Sequence, residues 1–469
     1  MDKSNAPQAT TKSEKKESKS RSNNNLAIME WRFNQFLGER LTYEEIRNDP
    51  ENETFLVTDI KFTPDGSHVI VSDKAGRVIT FKKSDTKGKS PKLEYFFEYV
   101  AQEKDFDVHK SIENSEEVKA VSVVPSNSFE NKLDIITAGF RTIRIDRIYK
   151  DSVKTFNSVP SSQVSIPKVS EVKNEIKSKT KRLFKCTHSN EINSLCVNKE
   201  NVNNFISADE FKVFLWDINF DGREIYAPID IESDSELDTV EKITKATYTN
   251  YDPHVFLYGT NRGNIKLCDL RAGSESHSFA TNFSDERSDI ANSIANSLLC
   301  VHDINTNISG SNYTFATRHY FSVNLWDMRK TTEPSSKFLI YEPVINKLTY
   351  LYQNNYINDK FSLDTDPTGK YVLTGGYNNM FHVIDTEQRL NTQIVIDDSN
   401  QRLMNTNIIR KINAKGSCYY KKDDPSLSNI NFDKKILHQA YSPVGNYALL
   451  IVLNCIYSYS GNIAKKNSK

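Results

Sequence analysis

The chain has 469 residues, 37% of them hydrophobic and 26% charged, with 61 Lys plus Arg balanced by 61 Asp plus Glu. A formal net charge of zero gives no whole-protein field to draw in nucleic acid or an anionic membrane, so neither is expected as a partner and any electrostatic preference must be local. The six cysteines are scattered with no CxxC pair, which argues against a disulfide framework or a zinc site and suits a reducing compartment. No apolar run approaches a membrane span and the N-terminus is polar, so a soluble cytoplasmic or nuclear protein is expected.

Residues 1–25 have almost no apolar content and carry six Lys/Arg against three Asp/Glu. Such a segment cannot bury enough surface to offset its ordering entropy, so a disordered polar tail is expected there, with a second short tail over 462–469. The span 26–461 reads as one domain. It opens on "AIMEWRFNQFL" (27–37), an apolar strand or short packed helix.

From there the chain repeats one unit: a short apolar strand, a polar or Gly-containing turn, and a second strand often ending in Asp. The copies are "HVIVSDKAGRVITF" (68–81), "DIITAGFRTIRID" (134–146), "NFISADEFKVFLWD" (204–217), "VFLYGTNRGNIKLCD" (255–269), "YTFATRHYFSVNLWD" (313–327), "YVLTGGYNNMFHVID" (371–385) and "ALLIVLNCIYSYS" (448–460). In "VFLW" residues of both parities are apolar, so both faces of that strand are buried, as in a blade packed between two others. Asp217, Asp269, Asp327 and Asp385 are spaced by 52, 58 and 58 residues, beyond the roughly 40–45 of a standard WD repeat, so each unit carries extra loop. The expected fold is all-β: a seven-bladed WD-repeat β-propeller, closed radially so that only short edges remain, its seam completed by the strand at 27–37.

Three segments stand apart. Residues 91–117 carry eight acids against three Lys and read as an insertion; residues 150–185 read as an arm between blades two and three, basic in its second half; residues 403–429 read as a flexible loop before the last blade. No catalytic constellation is present. The nine His are isolated, with no HExxH, and neither a GxSxG elbow nor a GxxxxGK[ST] loop occurs. His188 precedes a strand and reads as the structural partner of a turn Asp. Trp216 and Trp326 read as core, and the four strand-ending Asp as architecture. What remains is surface: "DIESDSELDTVE" (230–241) has six acids and no base. Beside the Asp209-Glu210 turn, it would form an acidic concavity with Leu237 as an apolar contact, suited to a basic peptide.

At this point the residues resemble a known family, the regulatory B-type subunits of protein phosphatase 2A in the 55-kilodalton WD-repeat class, of which this is a divergent member. The likeness runs from about Trp31 to Asn462. It is carried by "SDKAGRV" (72–78), "DFDVHKSIE" (105–113), "HSNEINSLCVN" (188–198), "SADEFKVFLWD" (207–217), "GNIKLCDLRA" (263–272), "FATRHYFSVNLWD" (315–327), "YINDKFSLD" (356–364), "GGYNNMFHVID" (375–385) and "NFDKKILHQAYSP" (431–443). The resemblance implies no catalysis and no cofactor or metal in this chain. It implies binding to a HEAT-repeat scaffold subunit and through it to a Ser/Thr phosphatase catalytic subunit, with phosphoprotein substrates that carry basic docking segments presented to that enzyme. It places scaffold contacts on a projecting β-hairpin arm, at Val164, Ile166, Pro167 and Lys168. It places substrate docking at Asp209, Glu210, Leu237, Lys74, Ser111 and Glu113. The chain departs from the family at Asn190, Gln353 and Asn358, which puts substrate preference in question more than assembly. The other reading of a propeller without catalysis is a WD-repeat adaptor of a ubiquitin ligase or chromatin complex.

Overall fold

Alternating apolar strands joined by turns of two to five residues must pair with their chain neighbours, and the computed structural model shows them doing so seven times over. It describes residues 29–39, 41–84, 91–102, 105–107, 112–114, 116–125, 132–156, 169–184, 188–220, 226–231, 241–271, 281–284, 298–340, 348–396, 407–413 and 430–463. Seven antiparallel sheets form a seven-bladed β-propeller. The innermost strands are Val57–Phe62, Ala120–Val123, Ser194–Val197, Ile243–Tyr248, Val301–Asn305, Leu363–Thr365 and Ile436–Tyr441. Each lies against its neighbours in both directions, the last against the first, so the ring is closed.

Every apolar repeat falls on the second and third strands of one blade. In blade three Asn204–Ala208 pairs with Lys212–Asp217, and in blade five Thr314–His319 pairs with Ser322–Asp327. The strand ending in Trp-Asp is buried on both sides as its composition requires: Val213, Phe214 and Trp216 are all buried. Trp216 stacks on its cross-strand partner Phe205 with centroids 5.9 Å apart, and Trp326 on Phe315 at 6.3 Å. The four strand-ending Asp are capping residues of one kind. Asp217, Asp269, Asp327 and Asp385 each accept a backbone N–H two residues on, at 2.8–3.0 Å, and so fix the turn into the outer strand.

Closure uses the N-terminal apolar run as a strand. Met29–Leu37 pairs antiparallel with Cys455–Ile463 and becomes the outermost strand of blade seven. Trp31 sits edge-on to Phe381 and Tyr441, buried between blades six and seven. At the centre, polar side chains tie blade to blade. Asp59 accepts from Val121 N at 3.1 Å, Asp303 from Leu363 N at 2.8 Å, Asp364 from Tyr441 N at 2.8 Å and Ser194 Oγ from Ala246 N at 3.0 Å. These N–H groups lie on the open inner edge of a sheet, and each is satisfied by the preceding blade.

The sheets revise three boundaries. Residues 92–100 are not inserted; Lys92–Val100 is the outer strand of blade one, and within the acidic remainder Asp105–Asp107 pairs antiparallel with Ile112–Asn114. The arm does not intervene between blades two and three. It is a prolongation of blade two's own outer strands, Ile143–Phe156 and Val169–Phe184, paired along their length. Within 403–429, Asn407–Asn413 adds a fifth strand to blade six. These stretches are rich in polar residues, so composition alone reads them as loop.

Candidate recognition face

One end of the propeller carries the connections between blades and the turns between second and third strands, and every described candidate docking residue lies there. The turn of blade three holds Asp209 and Glu210. Asp209 is fully buried. Its carboxylate accepts from Phe211 N at 2.8 Å, Lys212 N at 2.7 Å and His188 Nδ1 at 3.0 Å. With Nδ1 donating, His188 Nε2 accepts from Ser207 Oγ at 2.7 Å, and Ser207 Oγ in turn accepts from Trp216 Nε1 at 2.7 Å. A relay of four side chains thus runs from turn to core. Burial would raise the Asp209 pKa, but the His188 and backbone N–H bonds outweigh it and the carboxyl is held below its ordinary value. Blade five has a variant of the same relay: Trp326 Nε1 donates to Thr317 Oγ1, which meets His319 Nε2, and His319 Nδ1 meets the Leu299 carbonyl.

Asp209 is therefore corrected from docking residue to structural residue: its side chain is closed off from solvent. Glu210 is not, its side chain being one-third exposed. Lys242 Nζ lies 2.7 Å from its carboxylate and over the Phe211 ring. The backbone of Glu210 is pinned as well, its carbonyl accepting from Ile243 N at 2.7 Å. Lys74, in the blade-one turn, pairs with Glu53 at 2.8 Å. Glu113 lies on the small strand Ile112–Asn114. Leu237 and Ser111 lie outside the described residues, as do Val164, Ile166, Pro167 and Lys168. The divergent positions lie on the same face. Asn190 Nδ2 donates to Ser189 Oγ at 3.4 Å, Gln353 ends the helix Leu348–Gln353, and Asn358 Nδ2 donates to Asn355 Oδ1 at 2.5 Å.

These elements surround the mouth of a central funnel of about 910 Å³. Its wall presents Arg47, Lys61, Lys74, Lys119, Lys245, Lys360 and Lys435 against Glu53, Asp59, Glu191, Asp303 and Asp359. The described wall of this funnel is thus mixed in charge, while most of the acidic stretch 230–241 lies outside the described residues. Lysines brought from distant parts of the chain offset its acids: Lys119 with Glu191 at 3.4 Å, Lys245 with Asp303 at 3.2 Å and Lys435 with Asp359 at 2.6 Å. Sequence reading missed these cations because each belongs to a different blade from its partner or to a different loop. Among the described residues no cluster of three His, Cys, Asp or Glu is placed to hold a metal.

A closed ring of seven antiparallel blades with a polar funnel, an extended hairpin and buried histidines defines a β-propeller of the seven-bladed WD-repeat class. Its curated relatives make that specific. The chain is 25% identical over 466 residues to the serine/threonine-protein phosphatase 2A regulatory subunit sur-6 of Caenorhabditis elegans, covering 92% of this chain and 90% of that one. It is 24% identical over 430 residues to the gamma isoform of the 55 kDa B-type regulatory subunit of the same phosphatase from Homo sapiens, covering 88% and 94%. The chain is a divergent relative of these regulatory subunits, matched over most of both lengths. No family model matches the sequence. Among solved structures, Raptor of Chaetomium thermophilum aligns with a TM-score of 0.53 at 12% identity, over 92% of this chain and 30% of the Raptor chain, a likeness of fold alone.

Proposed function

We propose that this chain is the non-catalytic, substrate-recruiting subunit of a heterotrimeric protein phosphatase 2A in the cytoplasm or nucleus. It binds the HEAT-repeat scaffold through the blade-two arm and presents phosphoproteins to the catalytic subunit from the funnel face. The observation that carries this reading is the match over about nine-tenths of both chains to proteins named as regulatory subunits of that phosphatase. Glu210 is the contact for basic substrate segments, partly exposed and near in sequence to the acidic stretch 230–241. Docking acts by raising the local concentration of the phosphosite near the enzyme.

Affinity purification of the tagged chain followed by mass spectrometry tests the assignment. Scaffold and catalytic subunits are expected together and in comparable amounts. Recovery of ubiquitin-ligase or chromatin subunits in their place overturns it in favour of an adaptor role.

A further inference from the structure

The chain that joins the outer strand of blade one to the inner strand of blade two leaves the blades at Gln102 and rejoins them at Glu116, and both residues come to one place. A methyl on Gly139, just past the second strand of blade two, would fall on Glu116 Oε1 and lie 2.9 Å from Gln102 Cδ. Gly76, in the blade-one turn, closes the other side. Its carbonyl accepts from Ala101 N at 2.8 Å and Gln102 N at 3.1 Å, and a Cβ there would stand 2.7 Å from the carbonyl oxygens of both Gln102 and Glu116. The side chains lock the junction. Glu116 Oε1 accepts from Phe140 N at 2.7 Å. The Thr142 hydroxyl lies 3.1 Å from that oxygen and 2.9 Å from Oε1 of the buried Gln102, so one proton serves two acceptors. Between Gln102 and Glu116, Asp105–Asp107 pairs with Ile112–Asn114 in a sheet of two strands. Two such strands are marginal in water by themselves, so their pose depends on how the chain is held at its root.

We propose that Glu116 is a positioning residue of the docking face: with Gln102 it clamps the root of this strand pair over Gly76 and Gly139, and the pose so fixed is the one that binds basic substrate segments. The inference rests on reading this face as the docking face. Residues 103–115 hold four acids against two Lys and include Glu113. Acids held in one pose bind without a further loss of chain entropy, which is the advantage of preorganisation. Glu116 itself grips the backbone of blade two, so its effect passes through the strands it holds. A glutamine keeps an acceptor oxygen at the same atom, whereas alanine removes it. Gly139→Ala reaches the clamp from the opposite side. Gly139 has no left-handed φ, and its added methyl meets the ends of the Glu116 and Gln102 side chains, so the clamp opens while the blade backbone is spared.

The test uses the purified full-length chain, a fluorescein-labelled Lys-rich peptide read by anisotropy at low salt, and hydrogen exchange over residues 105–114. Glu116→Ala and Gly139→Ala are each expected to weaken the peptide about fivefold, the scale of one lost hydrogen bond to a charged group, and to speed exchange over 105–114 with the urea midpoint unchanged. Glu116→Gln is expected to restore both readouts to within about twofold of the parent. In a chain whose residues 105–114 are replaced by Gly and Ser, Glu116→Ala is expected to make no further difference to the peptide, because its effect passes through the strands removed. Parent-like exchange in both clamp variants, parent-like affinity despite faster exchange, or an equal loss in the Gly/Ser chain overturns the proposal. A parent chain without affinity for the peptide refutes the docking reading, and exchange alone then decides whether the clamp holds. Recovery of phosphatase subunits with the tagged Glu116→Ala chain is scored separately: its absence from parent and variant alike refutes only the regulatory reading.

Discussion

Asp209 and Glu210 are adjacent in one turn and do opposite things. Asp209 closes the relay to Trp216, so Asp209→Ala strands three donors in the interior. Loss of about 2–3 kcal/mol is expected by urea denaturation, the scale of hydrogen bonds to a buried charge. Glu210→Lys changes a partly exposed side chain beside Lys242. Stability is expected to hold within about 0.5 kcal/mol while capture of basic substrate segments falls in a pull-down from the assembled complex. A protein with unchanged capture has its basic contact elsewhere. The buried histidines add a pH dependence. Burial, with the nearby Arg318 charge, pushes His382 down to about 3, and burial drives His302 down as well. A depressed histidine is neutral in the fold and takes up its proton only on unfolding. Its contribution is complete above the ordinary value of 6.5 and is lost progressively as pH falls toward 3. The urea midpoint is expected to drop from pH 7 to pH 5; a flat profile contradicts neutral burial.

At the scale of elements, the arm separates into a part that belongs to the blade and a part that does not. Ile148 and Ile176 pack into the core between blades one and two. Beyond Asp151 and Glu175, which face each other across the hairpin, the strands extend past the described core of the blade. Replacing residues 152–174 with Asn-Gly closes the hairpin through a two-residue turn that suits its twist. The shortened protein is expected to melt within a few degrees of the parent and to lose scaffold co-purification entirely. A cut reaching Thr180 would remove blade, because Lys177–Phe184 still pairs with Ile143–Tyr149. Scaffold capture by the shortened protein would move the contact to the propeller body.

For the whole molecule the decisive element is the seam. Met29–Leu37 covers the edge of Cys455–Ile463 and supplies Trp31 to the blade-six interface. Trp31→Ala is expected to cost about 3–5 kcal/mol through lost burial and the cavity left behind. Removing residues 1–38 leaves an unpaired edge on blade seven, a template for pairing between copies. The truncated chain is expected to elute as oligomers in size-exclusion chromatography; a monomer with the parent melting temperature would mean that the ring closes without this strand.

The fold was legible in the sequence because its information is local. Apolar runs, turn residues and a strand-ending Asp act within about fifteen residues, so the seven hairpins, the Trp-Asp core and a structural role for His188 could all be read along the chain. The character of the recognition face was not. It depends on Lys242 meeting Glu210, Lys435 meeting Asp359 and Asp303 turning into the wall to hold Leu363, contacts spanning 32, 76 and 60 residues. Charge patterning along a chain cannot tell a carboxylate that faces solvent from one that holds a neighbouring blade, since only ring closure decides which groups share the funnel and which are left to face a partner.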